Sequence, residues 1–221
     1  MENIQNKEKE NKLNLESEIN NEGLKIIKKY LDNNFFEPSK ISIWKESILN
    51  EFLDYLKQKQ PNIKICLFCS ILPKKTYSLK SKKFGGSKND EKISIKYINK
   101  NYCCLIKGYS FVKKKNSPKE NASKMKFELK NIIKDILSEN LKNKTFEQFQ
   151  EVEDILINSI DEKLKTILEK YNFGIMVTVS LKNNGIISGI NIYSEDEKDI
   201  GFISEFENDN ICSCAHIACF S

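Results

Sequence analysis

The single histidine of this 221-residue chain, His216, stands in Cys212-x-Cys214-x-His216-x-x-Cys219 near the C-terminus. Thiolates and imidazole are zinc ligands, and at strand spacing Cys212, Cys214 and His216 share one face. Structural zinc sites take their ligands from turns, however, and three alternate positions on one strand do not converge on a tetrahedron. Core or sheet-face thiols are the expected role. Cys66-x-x-Cys69 has redox spacing, but that chemistry needs a strand-to-helix turn with a solvent-facing first cysteine. Here both lie within the apolar run Ile65–Ile71, on opposite strand faces. The carboxylates Glu195, Asp196, Glu197 and Asp199 fall in an expected loop, where such runs are solvated. With one His, no Arg, no phosphate-binding glycine loop and no nucleophile elbow, the groups of catalysis are missing. The chain reads as non-enzymatic, with no cofactor and no metal.

Charge narrows the partners. All 36 basic residues are Lys, whereas nucleic-acid recognition leans on the bidentate, stacking Arg, so no nucleic-acid partner is expected. Residues 22–112 hold 18 Lys against 8 acidic residues, while residues 127–221 hold 9 against 17. Oppositely charged halves attract each other and discourage like pairing. Lys113–Lys115 and the lysines of 119–126 could meet microtubules or an anionic surface, but read as a solvated linker. Seven Cys, no signal peptide and no apolar run near the ~18 residues of a spanning helix point to free thiols in a reducing compartment without membrane insertion.

The elements that must position these residues occur twice. Asn172–Leu181 repeats Asn62–Ile71, with Ser180 under Ser70 and an apolar β-rich run between. Phe206-Glu207-Asn208-Asp209-Asn210-Ile211 repeats Tyr97-Ile98-Asn99-Lys100-Asn101-Tyr102, and Phe220 falls under Phe111. The expected organisation is a disordered tail over 1–21, a first domain over 22–112, a Lys-rich linker over 113–126 and a second domain over 127–221. In the first domain helices are expected over about 22–33 and, capped by Ser39, up to about 58, where Ile41, Trp44, Ile48 and Leu53 form the core face. Strands follow over 63–72, 76–84, 92–97 and 102–112, read as a meander. The second copy reruns the plan, with Val152, Ile155, Ile160, Leu164 and Ile167 under Ile41, Trp44, Leu49, Leu53 and Leu56. Each half is α-α-β-β-β-β, an α+β domain with two helices over a four-stranded antiparallel sheet.

Three features carry a resemblance: the helix core Ile41-x-x-Trp44-x-x-x-Ile48, the hairpin Lys182-Asn183-x-Gly185, and the Glu207-Asn208 turn before a Cys-containing last strand. In that order the chain resembles the Tctex-type dynein light chain family, twice in tandem. The first copy lacks the Asn-Gly hairpin, having Leu72-Pro73-Lys74-Lys75, and is the more diverged. The resemblance implies two-fold pairing in which a strand crosses to the partner's sheet, here within one chain as an intramolecular pseudo-dimer. It implies a non-catalytic light chain or adaptor that takes up an extended segment by strand addition. The partners would be a dynein intermediate chain, other dynein subunits or cargo, in the cytoplasm or on the cytoskeleton, with cytoplasmic dynein or the axoneme of a cilium as the setting. A dynein-independent scaffold of the same fold is the alternative. The crossing and peptide-flanking strand would be Ile186, Ile187, Ser188, Gly189, Ile190, Asn191 and Ile192, where Gly189 permits close backbone approach.

Overall fold

The structure is a computed structural model that describes the chain except at residues 1, 33, 35, 36, 62, 74–76, 85–91, 113–121, 170, 183–186, 195–198 and 221. Its elements are α1 (Glu2–Leu31), α2 (Pro38–Lys59), β1 (Ile63–Pro73), β2 (Tyr77–Phe84), β3 (Lys92–Ile98), β4 (Tyr102–Val112), α3 (Ala122–Leu141), α4 (Phe146–Ile167), β5 (Asn172–Leu181), β6 (Ile187–Tyr193), β7 (Ile200–Glu207) and β8 (Ile211–Phe220).

Helix α1 begins at Glu2, twenty residues before the expected start, so the region read as a disordered tail is helical. Its stripe is a strict four-residue spacing, Leu15, Ile19, Gly23, Ile27 and Leu31, thinly spread among polar residues, with Ile19 and Ile27 fully covered. Gly23 sits at the closest approach to the sheet, where a β-carbon would lie 2.2 Å from Ile95 Cδ1 and 3.0 Å from Phe52 Cζ. Helix α3 keeps the same spacing in Met125, Leu129, Ile133, Leu137 and Leu141, all buried. It starts at Ala122, inside the segment read as linker, whose residues 113–121 lie outside the described residues.

Helices α2 and α4 are both 22 residues long and start 108 residues apart. At that offset Ile41, Ile48, Leu49, Phe52 and Leu56 match Phe149, Leu156, Ile157, Ile160 and Leu164, and all ten are buried. The expected alignment was three residues longer. At about 100° per residue, that slip rotates the stripe by about 60°. It explains why Ile155, expected in the core, is 57% exposed and Ile167 is 40% exposed. Trp44 is half-buried, its ring edge-on to Tyr102 at 6.2 Å, while Leu53 is buried as expected. Ser39 is not the cap of α2: that helix has Glu37 at its N-cap and Pro38 at its first turn. Helix α4 instead carries a capping box in which Thr145 accepts from Gln148 N and the Gln148 side chain accepts from Thr145 N.

The strands do not form two meanders. One antiparallel sheet has the order β3-β4-β1-β6 and the other β2-β5-β8-β7. Each half therefore gives its second strand to the sheet of the other, β2 pairing with β5 and β6 with β1. The outer faces pack under α1/α2 and α3/α4, and the inner faces pack on each other. The repeated Asn turns are built alike. Asn99 Oδ1 accepts from Asn101 N and Tyr102 N while its amide reaches Leu31 O; Asn208 does the same with Asn210 N, Ile211 N and Leu141 O. One asparagine per half thus closes the last hairpin and satisfies a free carbonyl at a helix C-terminus.

The interface between the halves and its exchanged strands

Residues at equivalent positions meet each other along the middle of the molecule. Ser70 and Thr178, 108 residues apart, are 3.2 Å apart hydroxyl to hydroxyl, and the rings of Phe111 and Phe220 lie 5.0 Å apart. Self-contact of equivalent positions defines a pseudo-two-fold axis between the halves. Around it Cys66, Phe68, Tyr109, Phe111, Met176 and Phe220 form an apolar layer between the sheets. Gly174 makes room for Tyr109, whose Cδ2 would lie 2.7 Å from a β-carbon there.

Of the residues singled out for chemistry, Glu195, Asp196 and Glu197 lie outside the described residues, and the histidine and cysteines belong to this architecture. His216 is 0% exposed on the inner face, 6.2 Å from the Phe68 ring, and burial with the nearby charge of Lys45 lowers its pKa to about 3. It is neutral at physiological pH. Cys66 faces the inner layer, where burial pushes its thiol up to about 12. Cys69 faces the helices with its sulfur 4.0 Å from that of Cys104, whose pKa is also raised. Such thiols are poor nucleophiles. Cys212 is half-buried near Ser180, and Cys219 is buried with its pKa raised by burial. Among the described residues no group of three His, Cys, Asp or Glu is placed to hold a metal ion.

The charge asymmetry reappears as contacts between the halves. From the exchanged strand β2, Lys80 reaches Glu153 and Asp154 at 3.1 Å each, and Lys82 reaches Asp161 at 2.5 Å and Asn158 Oδ1 at 3.0 Å, all on α4. Lys165 joins the 1%-exposed Asp161 at 2.7 Å. At the matching places α2 has Lys45 for Glu153 and Leu53 for Asp161. A pairing of two first halves would set Lys80 against Lys45 and Glu46 in place of two carboxylates, and would leave Lys82 with Asn50 and Leu53 in place of Asn158 and the Asp161 carboxylate. The half-exposed Lys80 pairs add little stability, but the pattern selects one pairing over the other. Deeper in, Lys64 of β1 pairs at 2.8 Å with Asp199, which leads into β7 and also accepts from Ser194; the side chains are 5% and 0% exposed. Sequence reasoning missed this pair. Its signal was a lone Lys in the apolar run from Ile63 to Leu72, because a cation is buried only with a partner.

The exchanged strands β2 and β6 both end their sheets, and each is hydrogen-bonded on one side only among the described residues. Of the expected site, Ile187–Ile192 lies in β6 opposite Ile71–Cys66, and Ile186 lies outside the described residues. Ile190 and Ile192 pack on the inner layer. Gly189 lies beneath α2, and a β-carbon there would be 2.8 Å from Lys45 Cδ. The Lys45 stem thereby closes over the strand at Gly189.

This architecture defines a class: tandem α+β modules fused into an internal pseudo-dimer by reciprocal strand exchange. The Tctex-1 family model matches residues 15–109 and again 125–220, so the chain belongs to the Tctex-1 family with two copies in tandem. A comparison with individual curated proteins finds no match. Among the described residues no helix is long and apolar enough to cross a membrane.

Proposed function

We propose that this chain is a non-catalytic dynein light chain or adaptor whose exchanged strand β6 receives an extended segment of a dynein intermediate chain or a cargo protein. The supporting observation is the position of β6 at a sheet edge, anchored on one side to β1 and with no strand on its other side among the described residues. Chain fusion supplies the paired partner that a single Tctex-type domain would need from a second copy. The site is composite: its strand comes from the second half, whereas the sheet and covering helix come from the first. Cytoplasmic dynein and the axoneme are the settings this role implies.

The two exchanged edges differ in every side chain, so one strong site per chain is expected. Titrating tiled intermediate-chain peptides by calorimetry, with amide hydrogen exchange as readout, should give one peptide per chain and protection of outward amides within Ile187–Tyr193. Two equivalent sites would remove the asymmetry. No binding by any segment, together with purification free of dynein subunits, would favour a dynein-independent scaffold of the axoneme or cytoskeleton.

A further inference from the structure

The sheet that ends in β6 has a second open edge at β3, with a different chemistry. Strand β3 pairs only with β4 among the described residues, and its burial alternates strictly. Ile93, Ile95 and Tyr97 enter the core under the helices, leaving Lys92, Ser94, Lys96 and Ile98 on the other face. The register sets Lys107 of β4 directly opposite Ser94, between Lys92 and Lys96 on the same face. Lys107 is half-buried, and its ammonium lies 2.5 Å from Ser94 Oγ. Burial, then the charges of Lys92 and Lys96, lower its pKa. No acidic side chain among the described residues pairs with any of the three lysines. The corresponding positions of the second half are Gly201, Ile203, Glu205 and His216, so the fold does not require this basic cluster.

Scattered lysines on an edge strand suffice to discourage edge-to-edge aggregation. Gathering two more around the half-buried ammonium of Lys107 goes further, because it costs Coulomb energy that an anion would recover. The spacing also selects the anion's form. Alternate residues of an added strand point to the same face, so carboxylates two residues apart would land on Lys92, Lys107 and Lys96 in turn.

We propose that the β3 edge is a docking site for an extended acidic segment of a partner protein, with acidic residues at alternate positions, added as a further strand. This site is separate from the one at β6 and stands or falls without it. The test uses the full chain and a fluorescent 12-residue peptide of alternating Glu and Val, against a peptide of the same composition with its glutamates in one block. The alternating peptide is expected to bind at least tenfold more tightly, to lose at least tenfold in the Lys92→Glu, Lys96→Glu double variant, and to protect outward β3 amides from exchange. Both substitutions are on exposed positions, and the far-ultraviolet circular dichroism spectrum and Tm of the double variant serve as the control that should not change. Equal binding of the two peptides, no loss in the double variant, or binding only to vesicles containing anionic lipid would overturn the proposal.

Discussion

Replacing Lys64 by Met is expected to lower the stability of the whole chain by about 3–5 kcal/mol, the range for removing one partner of a buried ion pair. The reason is what remains. Asp199, 0% exposed, would keep Ser194 as a neutral donor but lose its cation. Its carboxylate would then stay buried without the Lys64 ammonium that compensates it. For a chain of this size such a loss corresponds to a fall in Tm of about 10 °C. Adding Asp199→Asn to the Lys64→Met background should recover a large part, because an amide buries at lower cost than a carboxylate. Denaturant unfolding followed by far-ultraviolet circular dichroism measures both. Because Lys64 and Asp199 belong to different halves, the loss should appear as one cooperative transition. A shift below about 1 kcal/mol would mean the two halves do not lock through this pair.

His216 should govern stability in mild acid. Unfolded, its imidazole takes a proton near the ordinary 6.5; folded, it resists protonation down to about 3. A folded-state pKa below the unfolded one means that its contribution is complete above pH 6.5 and is lost as pH falls. The loss should approach about 1.4 kcal/mol per pH unit through the window from about 6 to 3. Carboxylates add to it only lower down. Glu51, held below 4.5 chiefly by Lys29, and Glu18, held below 4.5 chiefly by Lys59, act with the same sign in that more acidic range. Since the chain has one histidine, the slope between pH 5 and 6.5 reports His216, and His216→Met should flatten it. An unchanged slope in the variant would place the titrating group elsewhere.

The double α-α-β-β-β-β plan was legible because each half repeats its apolar runs and its Asn turn at nearly constant distance. The offset was harder to read than the repeat. A slip of two residues in β1 against β5 preserves which face each side chain takes. The three-residue slip in the helices cost Ile155 and Ile167 their expected places. The helical state of the N-terminal segment was hidden because one stripe residue of α1 is glycine and the others stand four apart among Lys, Asn and Glu. Strand exchange was not written in the strands themselves, since β2 would look the same in either sheet; the family resemblance implied it. What local pattern cannot reveal is which distant charge meets which. Lys64 with Asp199 and Lys82 with Asp161 are joined by topology, and sequence supplied only the imbalance between the halves.

Light scattering of the full chain over a hundredfold range of concentration tests the internal pseudo-dimer most directly. The exchange of β2 and β6 within one chain predicts a mass that stays at 25.7 kDa throughout, because each half already completes the other's sheet. A stable species of twice that mass at the lowest concentrations would mean that the strands cross between chains, and would contradict the internal pseudo-dimer.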